Sequence, residues 1–320
     1  MATARKRLIS IEATSYYHCV SRCVRQSYLC GDNKRTGTSY EHRREWVERK
    51  LLSLTHTYCI DVCAYAIMSN HYHVVLHINH EKATSLSMSD VVERWSTEHK
   101  IPDHVKRWQS QSTLDQAEYD HCVETIEQWR ERLWSLSWFM KELNYDIACK
   151  ANSEDGCKGH FWESRFKSQA LLDENALIAA MAYVDLNPVR AGIASTPESS
   201  DFTSIKRRIN ELMENVSLNS CLCPFVGIKS TKRKHGLPFK LIEYLELVDW
   251  TARQYRKDKH SLPSNYPAIL ARLKLHDRDW MNACKHLLRP HTSAVGNDAL
   301  VPKTKLALGK AKIHLFRLGC

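Results

Sequence analysis

Two apolar runs separated by a two-residue break constrain the fold of this chain most strongly. Residues 62–68 and 71–78 are rich in β-branched and aromatic residues, and only Ser69-Asn70 lies between them. Two strands joined by so short a link form a β-hairpin. The same alternation occurs earlier, in residues 16–22 (YYHCVSR), which predicts a further strand. The chain therefore contains a sheet with antiparallel neighbours.

Helical and extended patterns alternate along the first 200 residues. A fourth strand is predicted over residues 160–172, followed by a helix over 174–186 that Asp173 caps and Pro188 ends. Residues 103–120 are polar and irregular. Apolar residues recur at helical spacing in three other segments, namely 39–57, 89–99 and 123–151. This order predicts an α+β fold, with a largely antiparallel sheet and helices packed on it.

The chain changes character near residue 200. We predict a first domain over residues 1–200, with a helical insertion at about 100–152, and a basic, mostly helical extension over 201–320. The extension contains two basic runs, Lys229–His235 and Lys303–Lys312. These runs are either solvated tails or phosphate contacts.

The charge and the apolar content limit the partners and the compartment. Lys plus Arg is 46 and Asp plus Glu is 36 in 320 residues, which gives a net charge of +10 and favours an anionic partner, although this excess is mild. The longest stretch without Asp, Glu, Lys or Arg, residues 62–80, is too polar to cross a bilayer. No apolar region follows the basic start, and the twelve cysteines show no C-x-x-C spacing. We therefore expect a cytoplasmic protein with structural thiols.

The segment Asn70-His71-Tyr72-His73 lies inside the predicted hairpin. Residues two apart in a strand point to the same face, so His71 and His73 present two imidazoles side by side. Such a pair can hold one divalent metal ion. An H-x-H spacing also arises by chance in a chain with 17 histidines, so this spacing alone leaves both interpretations open.

A second polar pair lies in the helix before Pro188. Tyr183 and Asn187 are four residues apart, so they lie on one helix face, beside the apolar stripe. There they can reach a neighbouring sheet or a cleft. The alternative is a tyrosine at the helix edge and an asparagine that serves as a C-terminal cap.

Four blocks together resemble a known family, the single-tyrosine HUH transposases, and most closely its REP-associated tyrosine transposases. The resemblance covers about residues 10–195. The blocks occur in the same order as in the family, with helical segments between the second and the third block. They are YHCVSR, AYAIMSNHYHVVLHI, GHFWESRFKS and AYVDLNPVRAGI.

The resemblance implies a fold and a chemistry. The fold is a ferredoxin-like HUH palm, and the partner is single-stranded DNA that forms a hairpin. His71 and His73 resemble the metal-binding pair of the family, Asn187 its third ligand and Tyr183 its nucleophile, which forms a 5′-phosphotyrosine. Phosphate and amide oxygens favour Mg²⁺ or Mn²⁺ as the cofactor. The family also implies a DNA transposase near the nucleoid, working as a monomer in the repeat-associated branch and as a homodimer in mobile relatives.

Basic side chains near these blocks are candidates for DNA contact. Arg165 and Lys167 alternate with Phe166 in the predicted fourth strand, and Arg22 and Arg190 lie in two of the other blocks. Each is either a phosphate contact or a solvated surface charge. The competing function is a catalytically inactive DNA-binding regulator on the same scaffold, in which the histidines are structural.

Overall fold

A six-stranded mixed sheet organises the part of the chain described in this computed structural model, which covers residues 7–24, 29–32, 36–111, 113–214, 221–227, 236–255 and 267–318. The order across the sheet is β2-β3-β1-β4-β5-β6. The first four strands in this order pair antiparallel, and β4–β5 and β5–β6 pair parallel. The strands are β1 (Tyr16–Arg22), β2 (Ile60–Ile67), β3 (His71–Ile78), β4 (Lys167–Leu171), β5 (Ala294–Gly296) and β6 (Leu315–Arg317).

Helices cover both faces of this sheet. Before β4 they are α1 (Arg43–Thr57), α2 (His80–Ser85), α3 (Met88–Ser96), α4 (Asp103–Gln109), α5 (Gln116–Leu133) and α6 (Leu136–Glu154). After β4 they are α7 (Glu174–Asp185), α8 (Asn187–Arg190), α9 (Ser204–Met213), α10 (Leu241–Tyr255), α11 (Ala268–Arg272), α12 (Asp277–His286) and α13 (Val301–Leu308), with a 3₁₀ turn at Asp298–Leu300. No helix among the described residues is long and apolar enough to span a bilayer.

The alternation of side chains along the strands separates two cores. On one face, small residues such as Ala64 and Ala66 of β2 pack against α7. On the other face, Tyr65 and Tyr72 pack among residues of α1 and α6. A third cluster, around Trp95 and Trp129, holds the inserted helices together. The helix α7 thus lies directly on the sheet face that carries the even-numbered residues of β1.

The predicted α+β class agrees with this mostly antiparallel mixed sheet, while its identity as an HUH palm stays a prediction. Strands β1 and β3 have the predicted bounds. Asp173 caps α7 as predicted, accepting a hydrogen bond from the backbone N–H of Ala176 at 2.8 Å. Its other oxygen accepts from the backbone N–H of Asn297 at 2.9 Å, which ties the end of β5 to α7.

Two predictions for the insertion were wrong. The polar segment 103–120 contains α4 and the start of α5, where Asp115 and Glu118 form a reciprocal capping box. The single helix predicted over 123–151 is two helices that meet at Trp134-Ser135. The Leu133 carbonyl accepts a 2.8 Å hydrogen bond from the backbone N–H of Cys59 at this break, a tertiary contact that local periodicity does not encode.

The fourth strand and the path of the chain after α7 differ from prediction, whereas α7 itself ends where predicted. The strand begins only at Lys167, and Arg165 lies exposed in a bend before it. Phe161 and Trp162 lie outside β4, although Trp162 forms an isolated antiparallel bridge with Cys23, and bends at residues 163–165 separate this bridge from the strand. Pro188 does not end the helical path: it occupies the first turn of α8, where its missing N–H leaves no hydrogen bond unmade.

Residues after 200 complete the sheet rather than trailing from it. Strands β5 and β6 extend it beyond β4, and α9, α10 and α12 belong to the α7-side core. The predicted boundary at residue 200 stays a prediction. The basic run Lys229–His235 lies outside the described residues, whereas Lys303–Lys312 forms most of α13 and the turn after it.

Candidate active site

The two candidate metal-binding histidines lie side by side on the α7 face of the sheet. In the β1–β3 register, His71 is opposite Arg22 and His73 is opposite Val20. The two imidazole ring centroids are 4.8 Å apart. Tyr72 points to the other face, where its hydroxyl donates a 2.7 Å hydrogen bond to Asn144 Oδ1. The strand alternation therefore separates Tyr72 from the histidine pair.

Tyr183 lies against His73, one member of this pair, on a helix that is buried on all sides. Its ring centroid is 5.8 Å from that of His73 and 5.9 Å from that of His18. The Arg190 guanidinium carbon is 4.0 Å from the centroid of the same ring. Only 6% of Tyr183 is exposed, because α9, α10 and α12 enclose α7. The predicted position was a helix flank from which Tyr183 can reach a neighbouring sheet or a cleft, and its ring does face the sheet. Its nearly complete burial was not predicted, since local periodicity contains no sign of these covering helices.

Asn187 is joined to Arg190 rather than capping α7. It is the first residue of α8, and its Oδ1 accepts a hydrogen bond from Arg190 Nη2. Arg190 Nη1 donates at 2.9 Å to the backbone carbonyl of Cys284, in α12. The Asn187 Nδ2 group is buried and has no hydrogen-bond partner among the described residues. This amide therefore has an unused donor and an oxygen whose second lone pair is available.

His18 and Gln169 complete the cluster, and neither was predicted from the sequence. His18 is fully buried, with its Nε2 3.0 Å from His73 Nδ1 and its Nδ1 3.0 Å from Gln169 Oε1. The available signal was the alternation in YYHCVSR, which places His18 on the same face as Arg22. The missing information was the register of β1 against β3 and β4.

Burial keeps the three imidazoles neutral. It lowers the pKa of His71 to about 4, and the nearby positive charges of Arg22 and Arg190 act in the same direction. It also lowers the pKa of His18 to about 4, against the opposing effect of the hydrogen bond that His18 makes to Gln169 Oε1. For His73, burial moves the pKa well below its ordinary value. Neutral imidazole is the form that ligates metals.

The imidazoles of His71 and His73 suit a divalent cation that takes its other ligands from outside this pair. His71 Nδ1 is 2.6 Å from Asn70 Oδ1, and His73 Nδ1 is bonded to His18, so each ring keeps Nε2 for a ligand bond. A hydrogen bond at the other ring nitrogen is the usual arrangement of a metal-bound histidine. Among the described residues, no three His, Cys, Asp or Glu side chains cluster around a possible ion. A cation here would need amide, water or phosphate oxygens as well.

The candidate DNA-binding residues separate into two groups. Arg22 and Lys167 are exposed, and the pairing of Lys167 with Val20 places both on the face of the histidine pair. Arg190 is half-buried over Tyr183. Arg165 is exposed in the bend before β4 and does not share a strand face with Lys167. Three positive side chains therefore surround the histidines and Tyr183.

Comparisons with known proteins give one structural likeness. No protein-family model matches the chain, and no curated protein matches it. A solved structure described as a REP-associated tyrosine transposase bound to a REP hairpin is similar over 74% of this chain and 97% of that chain. The identity is 12% and the TM-score is 0.38. The function of this chain is therefore inferred from the residues of its site and from its sequence blocks.

Proposed function

We propose that this chain is a metal-dependent single-stranded DNA endonuclease and strand-transferase, a transposase that acts at hairpin-forming repeats. One observation carries the proposal: the Tyr183 ring lies 5.8 Å from the His73 ring and beneath the Arg190 guanidinium. A phenol, a neutral imidazole pair and a cation are the groups that a tyrosine-based phosphodiester transfer requires.

In the proposed step, the oxygen of Tyr183 attacks a DNA phosphorus atom. The bond between the phenol oxygen and phosphorus forms as the bond between phosphorus and the 3′ oxygen breaks. The phenol loses its proton to solvent, and the departing 3′ oxygen takes one up. The product is a 5′-phosphotyrosine and a free 3′-hydroxyl. A 3′-hydroxyl of another strand reverses the step, so rejoining consumes no ATP.

The neighbouring residues bind and orient the reacting groups. His71 and His73, through Nε2, and Asn187, through Oδ1, would hold Mg²⁺ or Mn²⁺. When bound, this ion supplies charge neutralisation at the phosphate and orients it for in-line attack. Arg190 holds the Tyr183 ring through a cation–π contact and presents a positive charge to the phosphate. The unpaired Nδ2 donor of Asn187 suits a phosphate oxygen.

Contacts to the DNA backbone would align the single strand across the end of the sheet where β1 ends and where β3 and β4 begin. Arg22, Lys167 and Arg190 surround the site, with Arg165 at its border, and together they would neutralise several phosphates. Tyr183 and His73 meet within one chain, which supports a monomer acting in cis, in contact with DNA in the cytoplasm.

A covalent-capture experiment tests the proposal. The protein is incubated with a hairpin oligonucleotide labelled at its 3′ end and with Mn²⁺, then denatured and separated by electrophoresis. We expect a labelled protein band that depends on metal and is absent in Tyr183→Phe. Tyr72→Phe is the matched control, because Tyr72 faces the opposite side of the sheet, and it should keep the band.

A regulator that binds DNA without cutting it is the second candidate. The observation in its favour is that Tyr183 is 6% exposed and that the oxygen of Asn187 is already bonded to Arg190. Hairpin binding by the native chain with no labelled band, at any divalent metal, would support the regulator and contradict the enzyme.

A further inference from the structure

We infer that Gln169 and His18 are positioning residues that fix the tautomer of His73, so that His73 presents an unprotonated Nε2 to the metal. The inference deepens the proposed function and rests on it, since it concerns the same metal site. Its basis is a chain of hydrogen bonds in which the direction of each bond determines the direction of the next.

The series of hydrogen bonds begins at two backbone carbonyls, which follow α12 in the sequence. Gln169 Nε2 lies 3.1 Å from the carbonyl oxygen of Leu287 and 3.4 Å from that of Thr292. Both oxygens are acceptors only, so the NH₂ group of Gln169 must face them. Gln169 is 3% exposed, which leaves its amide no solvent-facing alternative. Its Oε1 is therefore directed to His18.

An acceptor at Gln169 sets the protonation of both imidazoles. Because Oε1 accepts, His18 Nδ1, 3.0 Å away, must carry a proton. His18 is fully buried, so it is neutral and its Nε2 is an acceptor. His73 Nδ1, 3.0 Å from that Nε2, must then donate. The lone pair of His73 consequently resides on Nε2, the nitrogen left for a ligand bond.

His71 reaches the same state by a shorter route. Its Nδ1 is bonded to Asn70 Oδ1, an acceptor, so its Nε2 is unprotonated as well. The two rings are thus set by different parts of the chain: His71 by its neighbour in sequence, and His73 by residues near position 290. This gives the region after residue 200 a role in the metal site that requires no contact with DNA.

The direct test reads the tautomers in the metal-free protein. Protein labelled with ¹⁵N-histidine is examined by two-bond ¹H–¹⁵N correlation, which distinguishes Nδ1–H from Nε2–H imidazole. Signals are assigned by their loss in His73→Gln and His18→Gln. We expect Nδ1–H forms for both His18 and His73. A His73 signal of the Nε2–H form in the native protein would overturn the inference without any further variant.

Variants extend the test to the metal. Gln169→Met keeps the volume and removes the acceptor, so we expect the His73 tautomer to become mixed and the affinity for Mn²⁺ alone to fall about 10- to 100-fold, as for other residues that support metal ligands. Gln254→Met, on α10, is the control and should change neither. An unchanged His73 tautomer in folded Gln169→Met would overturn the inference.

These outcomes separate the inference from the proposed function. If the His73 tautomer and the Mn²⁺ affinity change in Gln169→Met while the native protein forms no DNA adduct, the positioning role of Gln169 and His18 is supported and the proposed enzyme is contradicted. If the native protein forms the adduct while the His73 tautomer is unchanged in Gln169→Met, the positioning role is contradicted and the proposed enzyme is supported.

Discussion

A buried carboxylate, Asp185, should hold the tyrosine helix in place, and its removal has a calculable effect. Asp185 is fully buried at the end of α7. Its Oδ1 accepts hydrogen bonds from Ser204 Oγ and, at 2.9 Å, from the backbone N–H of Ile205. Its Oδ2 accepts from the Tyr244 hydroxyl at 2.5 Å. One side chain therefore links α7 to α9 and to α10.

The expected loss in the free energy of unfolding follows from the number of buried hydrogen-bond donors that lose their acceptor. Tyr244→Phe removes one hydrogen bond to a charged acceptor and keeps the packed ring, so we expect the free energy of unfolding to fall by about 1.5–3 kcal/mol. Asp185→Ala leaves three buried donors without a partner. At about 1 kcal/mol or more for each donor, it should cost at least about 3 kcal/mol.

Urea unfolding followed by circular dichroism measures both changes. Burial raises the pKa of Asp185 to about 6, so the measurement is made at pH 8, where the group is a carboxylate. Tyr145→Phe is the control, because Tyr145 is 69% exposed and should change stability by less than about 0.5 kcal/mol. A Tyr244→Phe protein as stable as that control would refute the reasoning.

Three further predictions address charge, geometry and thiol chemistry. Lys167→Gln should weaken hairpin binding, and the slope of the logarithm of the binding constant against the logarithm of the salt concentration should become shallower by about 0.7. Lys106→Gln, on α4, should leave both the affinity and this slope unchanged. Equal effects of the two substitutions would contradict a DNA-facing Lys167. Arg190→Lys keeps the charge but loses the planar fork, so adduct formation should slow by up to ~100-fold, and an unchanged single-turnover rate would show that the fork is dispensable. Burial raises the pKa of Cys30 to about 12, so at pH 8 iodoacetamide should label exposed Cys157 and spare Cys30 until urea unfolds the chain; equal labelling would contradict this.

Local patterns predicted those elements whose neighbours do not alter them. The alternation of residues 16–22 and 71–78 was sufficient to predict the bounds of β1 and β3, because these two strands lie in the centre of the sheet and are paired on both sides. The three-residue strands β5 and β6 were not predicted, since they are too short to show alternation. They pair only because the chain returns to the edge of β4.

The candidate site was predictable where it depended on spacing and not where it depended on register. The two-residue spacing of His71 and His73 placed them on one face, and Tyr183 was found through the sequence blocks. His18 joins them because β1 lies between β3 and β4, an arrangement that only the folded sheet shows. The buried position of Tyr183 likewise depends on helices that come after residue 200.

The position of the DNA linkage tests the central claim most directly. After reaction with the hairpin and Mn²⁺, the protein is digested with trypsin and nuclease and analysed by mass spectrometry. Cleavage after Lys167 and Arg190 gives a peptide, residues 168–190, in which Tyr183 is the only tyrosine. We predict a nucleotide mass on this peptide, with fragment ions that place it on Tyr183. DNA cleavage with the nucleotide on another residue, or with no nucleotide attached, would contradict the account.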